Sequence, residues 1–379
     1  MDHAAMTARA RRMVNEAEAV QFLQEILRIP SLLGQEARLA AHIEQRLRGF
    51  GLQVWAEDAE PNRPTVTGTL RGAGGGKSLV LNGHMDHYPP SHDWTMDPYG
   101  GTRAGDRIHG VGANDMKAGL AAAIMAVKFV VDAQVPLRGD LSCMAIPGHF
   151  EGGLGTRHAI RRGFRSDYAI VCEPSDLRLV LAQMGTAYLR ITTRGRQAHT
   201  TAKAEGINAI EHMVAFIERL RRHRLAFTRH PLFDYDPIMN IGTIQGGFAH
   251  NLVPDRCAIT VDFRILPSQT PEGVKAEVEG IAADLAREIP GFAAEVEFIE
   301  AWLKGPRTPS SVAPDAPPAA ALRRSLAEVR GTPPADWGAP YWTDIAVFNE
   351  AGIVAVSCGP GREPYIWTDE YVTVGDYLD

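Results

Sequence analysis

The chain has 379 residues. A single hydrophobic core rarely spans a chain of this length, so the length predicts two domains. Hydrophobic residues make up 45% and charged residues 22%, a globular composition that excludes general disorder. The formal net charge of -6, without a concentrated basic face, argues against nonspecific nucleic-acid binding.

The sequence predicts neither a membrane span nor a disulfide framework. No segment approaches the roughly 20 apolar residues of a transmembrane helix, and the first 20 residues carry three arginines without the apolar run of a signal peptide. We therefore expect a cytoplasmic protein with no membrane partner. Its four cysteines form no CxxC pair and are expected to be buried free thiols.

From about residue 14 to 182, helical patterns alternate with short apolar runs. The runs are SLVLNGHMD, DLSCMAIPG and SDYAIVCEP, and DMKAGLAAAIMAVKFVVDA between them has the pattern of a helix. This alternation is typical of an α/β domain with parallel strands. The glycine-rich GAGGGK at 72–77 lacks the context of a phosphate-binding loop and is interpreted as an ordinary loop.

From about residue 184 to 300 the order changes to strand, helix, two strands, helix and strand. This β-α-β-β-α-β order is typical of a ferredoxin-like fold. The Pro- and Ala-rich stretch GPRTPSSVAPDAPPAAALRRSLAEV then marks the return to the first domain, where VAVSCGPG supplies another strand. We predict an α/β domain formed by 1–182 and 303–379, with residues 183–302 inserted into it.

Polar residues follow the predicted strands, where parallel strands end at the ligand crevice of an open α/β sheet. They are His84, Asp86, Asp115, His149, Glu151 and Glu173. Histidine and carboxylate side chains suit Zn, Mn or Co, and in an HxD pair the aspartate can hydrogen-bond the far ring nitrogen of the histidine. Taken singly, Asp115 could be a helix N-cap, Glu173 a turn residue and His84 a loop histidine. Their joint placement favours a metal site.

Short motifs spread over nearly the whole chain follow one known pattern. They are GHMD at 83–86, GANDMKAGLAA at 112–122, CEP at 172–174, RGRQAHTTAKAEGINAIEHM and IGTIQGGFAHNLVPDRCAITVDFRILP in the insert, and YWTDIAVFNEAGIVAVSCGPG with TDEYV in the tail. Together they resemble the signature motifs of the M20 family of metal-dependent peptidases and deacylases. The resemblance implies an α/β, zinc-exopeptidase-like catalytic domain with an inserted ferredoxin-like α+β domain that acts as lid and dimerisation domain.

The resemblance also implies a site with two metals and a glutamate base that activates water. In this chain His84 and Glu173 would bind the first metal, and Asp115 would bridge to the second. Asp86 would orient His84.

In the insert, the resemblance implies that His199 stabilises the oxyanion, often across a homodimer. Asn251 and Arg264 would hold a small-molecule substrate, with Arg264 gripping a carboxylate through two hydrogen bonds. A structural ion pair is the alternative for Arg264.

The chain departs from the family pattern at both residues that would bind the second metal alone. Where the family has DEExGG the chain has GHFEGG, so that His149 takes the place of the base and Phe150 that of a ligand. The family also has a metal-binding histidine three positions before DEY, and Ile366 occupies that position here. These changes predict one divalent metal, Zn, Mn or Co, with the second absent. A one-residue slip of the alignment would instead make Glu151 the ligand.

The leading functional prediction is metal-dependent hydrolysis of a small amide or other non-peptide C–N bond. His149 would be the general base and His199 the oxyanion donor. His149 could instead be a fourth ligand or fill the space of the lost glutamate, and His87 is a spare imidazole. With Phe150 and Ile366, the vacated position would be apolar and favour a flat or aromatic substrate.

Two other functions stay open from the sequence. One is a catalytically silent or repurposed member of the family that binds a small carboxylate between its domains. The other is a metal-independent lyase or transferase with His149 and His199 as acid and base.

Overall fold

The computed structural model describes residues 8, 9, 11–299, 305–362 and 368–379. The chain divides into two compact units. The first comprises Met1–Leu181, Val312–Ala339 and Thr343–Asp379, and the second comprises Ala182–Ser311 and Pro340–Trp342.

The second unit takes in more of the chain than the predicted insert of 183–302, because residues after it pack there. The N–H of Thr186 donates to the carbonyl of Arg307 at 2.8 Å. The Arg307 guanidinium lies over the rings of Tyr188 and Trp342, at 5.9 and 5.5 Å.

The first part of the first unit alternates helices and strands. Its helices are α1 (Glu16–Leu27), α2 (Ala37–Gly49), α3 (Ala118–Asp132) and α4 (Leu154–Arg161). Its strands are β1 (Gln53–Glu60), β2 (Arg63–Leu70), β3 (Leu79–His84), β4 (Thr102–Ala104), β5 (Arg107–His109), β6 (Leu141–Ile146), β7 (Tyr168–Val171) and β8 (Leu179–Gln183). Short helical turns cover Ala113–Lys117 and His149–Glu151.

The second unit contains two helices and several strands. They are β9 (Gly185–Arg194), β10 (Ala198–His199), α5 (Ala209–Arg222), β11 (Ile238–Gly246), β12 (Leu252–Val253), β13 (Arg256–Ile265), α6 (Pro271–Glu288), β14 (Ala293–Phe298) and β15 (Ser310–Ser311). The chain then returns to the first unit with α7 (Pro317–Arg330), β16 (Asp336–Ala339), α8 (Ile345–Glu350), β17 (Val354–Ser357), β18 (Tyr371–Thr373) and α9 (Val374–Leu378).

The large sheet has the strand order β1-β2-β6-β3-β7-β17-β8-β15, and β16 also pairs with β8. The strands β6, β3, β7 and β17 are mutually parallel, whereas β1, β2, β8 and β15 are antiparallel to their neighbours. The strands after which polar residues were predicted are therefore adjacent and parallel, and their carboxyl ends share one edge of the sheet.

The sheet of the second unit has the order β11-β13-β9-β14, which is the ferredoxin-like arrangement. Burial alternates along β13, where the side chains at Cys257, Ile259, Val261, Phe263 and Ile265 enter the core of this unit. The N-cap Asn208 begins α5 and Thr270 begins α6, each accepting hydrogen bonds from main-chain N–H groups of the first turn. The predicted ferredoxin-like insert is confirmed.

Within the described part of the chain, no helix is both long and apolar enough to cross a membrane. The cytoplasmic location stays a prediction. All four cysteines are buried free thiols, as predicted.

Candidate active site

Three side chains meet at the edge where the parallel strands end. His84 is the last residue of β3, His149 follows β6 and Glu173 follows β7. All three are buried, and their ligand atoms lie within 4.8 Å of one another. This group, which we call the His-His-Glu cluster, contains two of the three predicted metal ligands together with the predicted base.

The ring of His84 is held so that one nitrogen faces two carboxylates. Its Nδ1 lies 2.9 Å from the main-chain carbonyl of Asp86 and donates to it, because a carbonyl only accepts. Its Nε2 then lies 3.0 Å from Asp115 Oδ1 and 3.7 Å from Glu173 Oε1. A lone pair facing two negative charges needs a cation between them. Metal-binding histidines typically donate the N–H of their other ring nitrogen to a carbonyl or carboxylate, as Nδ1 of His84 does here.

A proton can also supply that positive charge. Burial alone would lower the pKa of His84, but the charges of Glu173, Asp115 and Asp86 outweigh it and raise the pKa to about 10. A metal bound at Nε2 therefore has to displace a proton.

Glu173 supplies the second observation in favour of a metal. Its Oε1 is buried and accepts no hydrogen bond from the residues that the structure describes. It lies 3.5 Å from Nδ1 of His149. Burial raises the pKa of Glu173 to about 7 despite the two histidines. A buried carboxylate oxygen without a hydrogen bond, facing imidazole nitrogens, fits a divalent metal.

Asp115 lies beside the cluster on the turn that precedes α3, and Glu370 holds that turn. The Glu370 carboxylate accepts the main-chain N–H groups of Gly112, Asn114 and Asp115 at 2.8, 2.8 and 2.9 Å. Burial raises the pKa of Glu370 to about 7. Sequence reasoning missed this role, although Glu370 stands in the TDEYV motif of the tail.

Asp86 acts differently from the expectation that its carboxylate orients His84. Asp86 Oδ1 is 3.8 Å from His84 Nδ1, which bonds the Asp86 carbonyl instead. The carboxylate accepts the main-chain N–H groups of His149 and Phe150 at 3.2 and 3.3 Å. Asp86 therefore anchors the loop after β6.

His149 pairs with a residue that sequence reasoning did not select. Its Nδ1 lies 2.7 Å from Oδ2 of Asp344, which is buried at the N-cap of α8. Burial alone would raise the pKa of Asp344, but the hydrogen bond and charge of His149 lower it. The His149 ring stacks on His84 with centroids 4.4 Å apart and planes 10° apart. Asp344 ends the YWTD motif of the tail, which was the available signal.

Comparison with known proteins assigns the family. Residues 181–290 match the family model of the peptidase dimerisation domain. Over 352 residues the chain is 31% identical to an acetylornithine deacetylase of Myxococcus xanthus, an alignment that covers 90% of this chain and 88% of that protein. The chain belongs to the M20 family. The resemblance seen in the motifs is confirmed.

Two further likenesses agree with this M20 assignment. An N-formyl-4-amino-5-aminomethyl-2-methylpyrimidine deformylase of Bacillus subtilis (strain 168) is 31% identical over 249 residues, covering 61% of this chain and 58% of that protein. A tripeptidase structure from Staphylococcus aureus has a TM-score of 0.79 at 22% identity, covering 96% of this chain and 95% of that one. The predicted fold class is confirmed, and the relatives are named as hydrolases of C–N bonds.

The loop GHFEGG is held by an ion pair of Glu151. Its Oε2 lies 2.6 Å from Nη1 of Arg63, and Arg63 also contacts Glu36 at 2.8 Å and Glu60 at 3.0 Å. The ion pair with Arg63 competes with the alternative alignment, in which Glu151 would be a metal ligand.

Phe150 is the residue at which the motif resemblance predicted the loss of a ligand of the second metal. Its ring meets the imidazoles of His84 and His149 edge-on, at 5.2 and 5.3 Å, and lies 4.2 Å from the ring of Tyr88. This side of the cluster is therefore aromatic. The other departure from the M20 pattern, Ile366, lies outside the described residues.

The spare imidazole His87 has both nitrogens engaged. Its Nε2 accepts the N–H of Ser31 at 3.1 Å, and its Nδ1 donates to the carbonyl of Tyr88 at 2.7 Å. Burial lowers the pKa of His87 to about 4. His87 is therefore a structural residue in the neutral form.

The remaining M20 positions lie in the second unit. The strand β10, which ends at His199, pairs with β12, and the N–H of Thr200 donates to the carbonyl of Asn251 at 3.0 Å. His199 and Asn251 are therefore close to each other. His199 Nδ1 accepts the N–H of Thr201 at 3.3 Å, so the neutral ring carries its proton on Nε2.

Arg264 on β13 forms an ion pair with Asp262, which was the alternative to its predicted role in substrate binding. Its Nε and Nη2 lie 3.1 and 3.0 Å from Oδ2 of Asp262. A grip on a substrate carboxylate would have to compete with this pair.

Proposed function

We propose that this M20 protein hydrolyses the C–N bond of a small-molecule amide with one divalent metal, Zn, Mn or Co. His84, Asp115 and Glu173 would hold the metal, and His149 would be the general base. The observation that carries the proposal is the buried His-His-Glu cluster, in which Nε2 of His84 and the unbonded Oε1 of Glu173 lie 3.7 Å apart. A structural neighbour from Bacillus subtilis is described as a dinuclear metal-binding peptidase of the M20 family, which supports a metal here.

Each residue of the site would have its own role in hydrolysis. A bound divalent metal would polarise a water molecule and the substrate carbonyl. His149 would accept the proton of the water at Nε2 and pass it to the leaving nitrogen as the C–N bond breaks. His199 carries its proton on Nε2 when neutral and would donate a hydrogen bond from this nitrogen to the oxyanion.

We propose that the substrate is a formyl or other small acyl derivative of a flat amine. Phe150 and Tyr88 make one side of the cluster aromatic, which suits stacking against a planar group. The name of the deformylase relative, which acts on a substituted pyrimidine, supports the same class. The ion pair of Arg264 with Asp262 offers no support for a carboxylate substrate.

We also propose a homodimer formed through the inserted domain. The strand β11 is the edge of its sheet, and apolar side chains are exposed on it and nearby, with Ile244 57%, Phe248 93% and Val214 51% exposed. The match of residues 181–290 to a peptidase dimerisation domain supports this interface.

Metal analysis combined with a substrate panel tests the function. We expect about one ion per chain and turnover of N-formyl or N-acetyl arylmethylamines that is lost on chelation and restored by metal. His84→Ala should abolish both metal binding and turnover, whereas His92→Ala, at an exposed histidine of the same unit, should change neither.

The remaining outcomes contradict the proposal in different ways. A protein without metal that still converts substrate would be a metal-independent lyase or transferase. A protein with metal that turns over no amide, but is stabilised by a small carboxylate, would be a binding member of the family.

A further inference from the structure

We propose that Asp344 is a positioning residue that fixes the tautomer of His149 and leaves Nε2 as the working nitrogen of the ring. The inference rests on the proposed function in that His149 takes up a proton during hydrolysis. The two side chains are 2.7 Å apart although 195 residues separate them in the chain. His149 is 6% exposed and Asp344 1% exposed, so water does not compete for this hydrogen bond.

The direction of the hydrogen bond follows from the chemistry of its partners. An ionised carboxylate offers only acceptors, so the proton between the two groups belongs to Nδ1 of His149. A neutral imidazole with its proton on Nδ1 carries its lone pair on Nε2. Glu173 Oε1 also lies near Nδ1 of His149, but at 3.5 Å it is a poorer acceptor for the Nδ1 proton than Asp344 Oδ2 at 2.7 Å.

Ring contacts with His84 and Phe150 hold the imidazole of His149 without choosing a tautomer. The face of the ring stacks on His84 at 4.4 Å, and the Phe150 ring meets it at 5.3 Å and 76°. Its main-chain N–H donates to Asp86 at 3.2 Å. The hydrogen bond with Asp344, in contrast, engages Nδ1 and so distinguishes the two ring nitrogens.

The substitution in the catalytic loop explains why such a partner is needed. The M20 pattern has a glutamate at the position of His149, and the two oxygens of a carboxylate are equivalent. An imidazole has two different nitrogens, and only one of them can accept a proton in each neutral tautomer. A histidine base therefore requires a group that selects the tautomer, and Asp344 provides it.

The first test reads the tautomer directly, by NMR of the metal-free protein labelled with ¹⁵N-histidine. We expect the proton of His149 on Nδ1, with a strongly downfield N–H signal that His149→Gln removes. In Asp344→Asn this signal should disappear and the Nε2–H tautomer should gain population. Finding Nε2–H in the unchanged protein, or an unchanged tautomer in Asp344→Asn, would overturn the inference.

The second test separates positioning from metal binding and from folding. Asp344→Asn should keep its metal and its melting temperature while kcat falls roughly 10²-fold or more with little change in KM. Asp344→Glu, which restores the carboxylate, should recover part of kcat. Glu350→Gln, in an exposed pair at the other end of α8, is the control and should keep full activity.

Each failure has a distinct meaning. Loss of metal from Asp344→Asn would overturn the inference by making Asp344 a ligand, and unchanged kcat would overturn it as well. A wild-type protein that turns over no substrate contradicts the proposed function but leaves the NMR measurement decisive for the tautomer.

Discussion

Arg63 and Glu151 form a buried ion pair of 2.6 Å that ties the loop carrying His149 to the strand β2. The side chain of Arg63 is 7% exposed and that of Glu151 is 11% exposed, so water screens the pair little. Arg63 also neutralises Glu36, whose side chain is fully buried.

Removing Arg63 should destabilise the protein strongly. Arg63→Met leaves the buried carboxylates of Glu36 and Glu151 without their cation, and we expect a loss of about 3–5 kcal/mol in the free energy of unfolding. Urea unfolding at neutral pH measures it. Arg71→Met is the matched control, since its pair with Asp140 is exposed and should contribute less than about 1 kcal/mol. Equal effects of the two substitutions would contradict the importance of burial.

Glu370→Gln should weaken both the fold and metal binding. The amide NH₂ of glutamine would face main-chain N–H groups that now donate to a carboxylate, at a cost of about 1–3 kcal/mol. The turn that presents Asp115 would shift, so we expect metal affinity to fall about 10–100-fold, measured by calorimetric titration. Asp369→Asn, in the neighbouring carboxylate that accepts from Thr95, should leave metal affinity unchanged. Equal metal affinity in both variants would refute the role of Glu370.

His87 should make stability depend on pH in mildly acidic solution. Burial lowers the pKa of His87 to about 4, while its pKa in the unfolded chain is near 6.5. Between these values the unfolded chain binds more protons, so the contribution of His87 to stability is lost as the pH falls from about 6.5 to about 4. His87→Gln should flatten the curve of unfolding free energy against pH in this window, and His92→Gln should not. An unchanged slope in His87→Gln would count against a neutral buried ring.

Ile244→Arg should dissociate the proposed dimer without unfolding the chain. The side chain is 57% exposed on the edge strand β11, so a charge there is tolerated in the free surface but not in a buried interface. Analytical ultracentrifugation should show a dimer for the wild type and a monomer for the variant. Val329→Arg, at an exposed valine on α7, is the control and should stay dimeric. A monomeric wild type would contradict the proposed interface.

The parts of the molecule that the sequence predicted are those governed by local periodicity. The order of strands and helices in the insert was predicted, and along β13 every second side chain enters the core. His84 and Glu173 were found because they directly follow apolar strands, whose parallel pairing brings their ends together.

What the sequence did not reveal depends on contacts between distant segments. Asp344 reaches His149 across 195 residues, and Glu370 reaches Asp115 across 255. The YWTD motif marks Asp344 but carries no sign of its partner. The ion pair of Glu151 with Arg63 was likewise not predicted, because it joins the loop after β6 to the start of β2.

The order of three parallel strands brings the members of the His-His-Glu cluster together. β3, which ends at His84, lies between β6 and β7, the strands that precede His149 and Glu173. The grouping of these side chains therefore depends on the topology of the sheet. A side chain at a strand end can be exchanged without rebuilding the scaffold, and this is how the fold can carry a histidine and a phenylalanine where its relatives' pattern has two glutamates.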